Sequence, residues 1–158
     1  MKGKKIWLIA ALLALAFIWG QSMLSVGTSS GESGWLTWNV INPILRGLGL
    51  GIVRVAVVRK WAHVFEFTVF SLLLSFLWDG RPLPVAVTGL VTAFLDETIQ
   101  IFSGRGSDIR DVWIDLIGIA LGMVIGCGSL WLRRRAAKRR GTDGSLSGGM
   151  KNEGGSRT

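Results

Sequence analysis

Four long apolar runs limit what this chain of 158 residues can fold into. They cover residues 6–25, 61–78, 83–101 and 112–132, and each approaches the ~20 residues that an α-helix needs to cross ~30 Å of hydrocarbon. A soluble core would show amphipathic stripes, whereas the first run and most of the fourth are apolar on every side. The sequence therefore predicts an all-α integral membrane bundle of four transmembrane helices.

Tryptophan and basic residues indicate where these helices end and how they are oriented. Three runs are bracketed by tryptophans, which are enriched at membrane interfaces: Trp7, Trp19, Trp61, Trp78, Trp113 and Trp131. With the N-terminus inside, twelve of the 18 Lys and Arg residues lie on the cytoplasmic side. The positive-inside rule then predicts a multi-pass membrane protein with both termini in the cytoplasm.

The chain is expected to divide into a membrane domain, residues 1–132, and a basic, disordered cytoplasmic tail, residues 133–158. The net charge of +8 does not indicate nucleic-acid binding, because the basic residues that follow the fourth run are explained by contact with anionic lipid. Between the first two runs, apolar residues recur at three- and four-residue steps from Trp35 to Ile52. This pattern predicts an amphipathic element in the outer interface, with Pro43 in the first turn of a helix.

Several polar residues interrupt the apolar runs close to the predicted outer face: Glu66, Asp96, Glu97, Gln100 and Asp115. Ionisable groups within hydrocarbon are costly, so several at one depth indicate a functional site. The short loop 103–107 makes the third and fourth helices antiparallel neighbours. We therefore expect a polar pocket at the outer face.

The pocket residues suggest two chemical roles. Basic and amide side chains suit an anionic ligand, and the candidate binding residues are Arg59, Lys60, Gln100, Arg105, Arg110, Asp111 and Asp115. No catalytic residue is assigned, but proton exchange has four candidates: His63, Glu66, Asp96 and Glu97. A network that only fixes helix packing is the alternative to both roles.

No cofactor and no metal ligand are assigned from the sequence. A subordinate alternative is a divalent cation held by carboxylates, for which the candidates are Asp96, Glu97, Asp111 and Asp115. Gly118, Gly122 and Gly126 form a G-x-x-x-G ladder that allows another helix to approach closely. That helix belongs either to this chain or to a second copy in a homo-oligomer.

Several of these motifs together resemble those of VanZ-like membrane proteins. The resemblance rests on residues 59–67 (RKWAHVFEF), residues 96–100 (DETIQ), and the pattern of Gly104, Arg105, Asp111, Val112 and Gly118. Ser22, Ser29 and Ser33 resemble the family's serine-bearing loop more loosely. Phe67 stands where the family often has Tyr, and Asp115 stands where Asn is common.

The resemblance implies a bacterial membrane protein of the cell envelope, in a family named after a member tied to teicoplanin resistance. The implied partners are membrane lipids, a lipid-linked envelope precursor or a glycopeptide. The expected function is binding of an anionic envelope lipid or drug at the outer-face pocket, because neither a nucleophile nor a strong metal signature is evident. The alternative is a membrane enzyme doing acid–base or metal-assisted chemistry on a lipid-linked substrate.

Overall fold

The computed structural model describes residues 2–23, 31, 34–103 and 109–152, without the side chains of residues 2, 109, 110 and 140–152. The α-helices that can be bounded within these residues are α1 (Lys2–Met23), α2 (Asn42–Gly47), α3 (Val55–Leu77), α4 (Pro82–Phe102) and α5 (Ile109–Asn152). Within the described ranges, four segments are long and apolar enough to cross a membrane: Gly3–Met23, Val55–Leu77, Pro82–Phe102 and Asp111–Arg139. The predicted four-helix membrane bundle is confirmed.

The bundle places large apolar side chains outward and keeps a small interior. Residues such as Leu13, Phe65 and Val124 are more than two-thirds exposed, which suits a surface that faces lipid tails. The buried apolar core includes Ile18 and Phe67. Because Phe67 is fully buried in this core, the phenylalanine found in place of tyrosine is a packing residue.

Close packing between α3 and α5 depends on the glycine ladder. A methyl group added to Gly118 would lie 2.6 Å from the carbonyl oxygen of Val64 on α3, and the next glycine, Gly122, lies against the Thr68 carbonyl. Gly126 lies against the side chain of Ser75. The ladder therefore packs within the chain, and a homo-oligomer would have to use another face.

A tight turn joins α3 to α4 at the end of the bundle that contains Lys4, which we call the Lys4 end. Asp79 and Gly80 both have positive φ, at 53° and 71°, and the Gly80 amide donates to the Ser75 carbonyl at 2.7 Å. Lys4 Nζ lies 2.6 Å from Asp79 Oδ2, and Arg134 donates to the Asp79 backbone oxygen at 2.7 Å. These contacts connect α1, the turn and α5.

The segment between α1 and α3 carries the predicted interfacial element in a shorter form. A π-helical stretch, Thr37–Ile41, continues into α2, whose first turn contains Pro43. The Asn42 side chain accepts from the Val53 amide at 2.9 Å and donates to the Val53 carbonyl at 3.2 Å. These two hydrogen bonds hold Val53 beside Asn42. The helix α2 therefore ends at Gly47, before Ile52, where the amphipathic pattern was expected to end, and α3 begins at Val55.

The last helix, α5, extends beyond the predicted span at residues 112–132 and continues to Asn152. The division into a membrane domain, residues 1–132, and a disordered cytoplasmic tail, residues 133–158, stays a prediction. Residues 133–140 consist of Arg, Ala and Lys, which are among the best helix formers. Helix propensity therefore favours continuation of α5 past the apolar segment.

Candidate functional site

Three helices bring one histidine and two aspartates together at the end of the bundle opposite Lys4. His63 Nδ1 on α3 lies 3.6 Å from Asp115 Oδ1 on α5 and 4.0 Å from Asp96 Oδ2 on α4. The side chains of Asp96 and Asp115 are almost completely buried, whereas one fifth of His63 is exposed. The ligand atoms of all three lie within 4.8 Å of one another, a range that suits proton exchange through one bridging water or a shared cation.

The Asp96 carboxylate is held in place by Gln100, one helical turn further along α4. Gln100 Nε2 donates to Asp96 Oδ2 at 2.8 Å, and it also lies 3.4 Å from the Ser22 hydroxyl on α1. Ser103 then donates to the Ser22 backbone oxygen at 2.8 Å. The end of α1 is therefore part of the site.

Ser22 was only loosely indicated before the fold was known, because its contacts with Gln100 and Ser103 span 78 and 81 residues. The signal that was available is a small polar residue at the end of an otherwise apolar run. Ser22 is completely buried, as expected for a residue that packs against a polar site.

A cavity of about 170 Å³ opens beside His63. Lys60 Nζ at its rim lies 3.6 Å from Asp111 Oδ1, and Arg59 forms no ion pair with any residue that the structure describes. The cavity is lined by Ala56, Arg59, Lys60, His63, Gln100, Asp111 and Ile114. It therefore combines two cations with hydrogen-bonding groups and an acid–base side chain.

Two candidate carboxylates lie apart from this cavity. Glu66 lines a separate, largely apolar groove between α1 and α3, beside Phe17 and Phe65. Glu97 is buried on α4. Because it directly follows Asp96, its side chain is rotated about 100° around the helix axis from that of Asp96. The cavity therefore has fewer acidic residues around it than the sequence pattern predicted.

Other candidates fall outside the described side chains. Arg105, together with Ser29 and Ser33 of the loosely matched serine loop, lies outside the described residues. Arg110 belongs to α5, but its side chain is not among those described. The predicted residues that the structure brings together are Lys60, His63, Asp96, Gln100, Asp111 and Asp115, with Arg59 at the cavity.

Comparison with known proteins places this chain in a family. The family model described as VanZ/LLP1 matches residues 6–132, which is most of the chain and includes every residue of the site. The chain is also 38% identical over 68 residues to the uncharacterized membrane protein YwnJ of Bacillus subtilis strain 168. That match covers 42% of this chain and 46% of YwnJ, so it spans about half of the curated relative.

No solved structure matches the chain significantly. The family match agrees with the four membrane-spanning helices and with the polar motifs on α3, α4 and α5. This chain is a multi-pass membrane protein and a member of the VanZ/LLP1 family.

Proposed function

We propose that this protein binds the anionic headgroup of an envelope lipid in the cavity beside Arg59 and Lys60. The observation that carries this proposal is the position of Arg59 in the wall of the cavity, with no ion pair among the described residues. Arginine presents a planar set of donors that matches phosphate oxygens. An anion in the cavity would supply the partner that this guanidinium lacks among the described residues.

The depth of the cavity in the bundle supports a lipid as the source of the anion. Arg59 lies in the second turn of α3, which begins at Val55, near the boundary of a membrane-spanning segment. Long basic side chains at this level reach lipid headgroups while their aliphatic stems stay in apolar surroundings. With both termini in a bacterial cytoplasm, as the basic residues predict, this boundary is that of the outer leaflet.

The size of the cavity favours a headgroup over a whole drug molecule. Its volume of about 170 Å³ is below the ~300–1,000 Å³ of pockets that enclose drug-sized ligands. A phosphate-bearing headgroup therefore fits the cavity better than an entire glycopeptide. In this proposal, any role in teicoplanin-type resistance is indirect and acts through an envelope lipid.

Lipid binding by purified protein tests this proposal. Native mass spectrometry would compare phosphatidic acid with phosphatidylcholine of the same acyl chains. Loss of one hydrogen-bonded charge contact costs about 1.5–3 kcal/mol, so Arg59→Ala should weaken phosphatidic acid binding about 10- to 100-fold. The matched control is Arg46→Ala, which removes an exposed cation of α2 that does not line the cavity.

Two outcomes would contradict the proposal. One is equal binding of both lipids by the wild-type protein. The other is an equal effect of Arg59→Ala and Arg46→Ala, since binding would then follow overall charge rather than this cavity.

The alternative function is acid–base chemistry on a lipid-linked phosphate. It is favoured by the 3.6 Å separation of His63 Nδ1 and Asp115 Oδ1 at the cavity, because a histidine beside a carboxylate can transfer protons. Turnover of such a lipid, followed by mass spectrometry, distinguishes the two functions. His63→Gln should lower turnover about 10²- to 10⁴-fold if His63 is the acid or base, whereas a binding protein shows no turnover in either form.

A further inference from the structure

Each of the two buried aspartates of the site has an oxygen without a hydrogen-bond partner among the described residues. Asp96 Oδ1 and Asp115 Oδ1 are both buried, and neither has a hydrogen-bond partner in the part of the chain that the structure describes. An ionised carboxylate in such a position is strongly destabilising unless a proton or a cation compensates its charge. Of the two carboxylates, Gln100 donates a hydrogen bond only to Asp96, at Oδ2, and its amide is neutral. A proton or a cation is therefore needed to compensate the charge of the two aspartates.

The distances within the site fit a bound metal ion. Bonds of about 2.0–2.2 Å to a tetrahedral metal place its ligand atoms roughly 3.3–3.6 Å apart. His63 Nδ1 and Asp115 Oδ1 are 3.6 Å apart, and His63 Nδ1 and Asp96 Oδ2 are 4.0 Å apart. The two distances from His63 need a contraction of a few tenths of an ångström at most. All three ligand atoms lie within 4.8 Å of one another, so the two aspartates would have to approach each other by no more than about 1.2–1.5 Å to share one tetrahedral ion.

The donor types indicate which ion would bind. One imidazole nitrogen with two carboxylate oxygens suits a transition metal better than Mg²⁺ or Ca²⁺, which prefer oxygen ligands alone. The sequence suggested only carboxylate ligands, because the position of the His63 ring among them depends on how α3 packs against α4 and α5. Three protein ligands also leave a coordination position open, as in catalytic zinc sites.

We propose that His63, Asp96 and Asp115 bind one divalent transition-metal ion, with Zn²⁺ the best match to this donor set. Gln100 orients the Asp96 ligand through its hydrogen bond of 2.8 Å, and partners of this kind influence metal affinity. The ion lies beside the cavity that His63 lines. Its open position then provides a further contact for an anion, although metal binding itself does not depend on the proposed lipid site.

Metal content measured with Zn²⁺ alone, without added lipid, tests this proposal. Protein purified through a tag without histidine is stripped with a chelator, reloaded with Zn²⁺, dialysed and analysed by elemental mass spectrometry. We expect one Zn²⁺ per chain for the wild-type protein and little above background for His63→Ala or Asp115→Asn. Gln100→Leu should weaken binding about 10- to 100-fold.

The matched control is Asp79→Asn, which makes the same chemical change at an exposed aspartate of the Lys4 end that is not one of the three proposed ligands. This variant should keep its Zn²⁺. Zn²⁺ should also raise the melting temperature of the wild-type and Asp79→Asn proteins, since a ligand that binds only the folded state stabilises it. It should leave that of His63→Ala unchanged.

A variant that keeps a metal-binding side chain at position 63 distinguishes loss of a ligand from misfolding as the cause of lost Zn²⁺ binding. His63→Cys, made together with Cys127→Ser, should give a thiolate-to-metal charge-transfer band with Co²⁺. Cys127→Ser alone should give none. Absence of Zn²⁺ from folded wild-type protein, retention of Zn²⁺ by both His63→Ala and Asp115→Asn, or absence of the band from folded His63→Cys protein would each overturn the proposal.

Failure of the metal proposal is distinguishable from failure of the lipid proposal. A protein that binds phosphatidic acid through Arg59 but takes up no Zn²⁺ would have protons as the partners of Asp96 and Asp115. A protein that takes up Zn²⁺ but does not distinguish phosphatidic acid from phosphatidylcholine would keep the metal site and lose the proposed function.

Discussion

At the scale of single residues, the acidic side chains at the two ends of the bundle differ in how deeply they are buried. The carboxylates of the site, Asp96 and Asp115, are almost completely buried, whereas Asp79 at the Lys4 end is exposed and paired with Lys4. Exposed ion pairs contribute little to stability, while buried charges are retained only with specific partners. The buried residues are therefore the ones that indicate function.

Asp79 gives a prediction about pH. A hydrogen bond from Lys4 holds the pKa of this carboxyl below its ordinary value, with help from the charges of Lys4, Arg134 and Arg81. Because the folded-state pKa is lowered, the stabilisation is present above the ordinary pKa of 3.8 and is lost as the pH falls through the folded-state pKa. Asp79→Asn should remove this dependence while still tolerating positive φ.

The measurement is the melting temperature of the wild-type protein and Asp79→Asn between about pH 6 and about pH 2, a range that spans the titration of an aspartate. The wild-type protein should be slightly more stable at the upper end, and the difference should vanish at the lower end. High salt should reduce it, since the pair is exposed. A difference that grows on acidification would contradict the role of the ion pair.

At the scale of secondary-structure elements, the contact between α3 and α5 fixes the geometry of the site. His63 and Asp115 lie on these two helices, one turn or less from the contact of Gly118 with the Val64 carbonyl. Backbone approach of this kind requires residues without a side chain. A change in the ladder should therefore alter the separation of His63 and Asp115 as well as stability.

Gly122→Ala should destabilise the protein, because the added methyl group would overlap the Thr68 carbonyl and the Ser71 side chain. Overpacking of this kind costs about 1–3 kcal/mol. Gly128→Ala is the matched control, since it adds the same methyl group to the same helix with nothing within 4 Å. Thermal unfolding followed by tryptophan fluorescence would compare the two, and equal stability would contradict the assigned packing.

At the scale of the whole molecule, most of the fold could be predicted because span length and apolar character are local properties of the sequence. The run at residues 83–101, for example, corresponds to the helix Pro82–Phe102. The partner of the Gly122 ladder could not be predicted, since a small-residue face does not specify which helix covers it. The separation of Glu66 from the cavity was also missed, because it depends on how α1 packs against α3.

The most direct test of this account is an experimental structure of the protein crystallised from a lipid phase that contains phosphatidic acid. The account predicts phosphate density in the cavity, within hydrogen-bond distance of the Arg59 guanidinium and beside Lys60. Ordered lipid phosphate found only elsewhere on the protein, with Arg59 paired to a carboxylate of the chain and only water in the cavity, would contradict it.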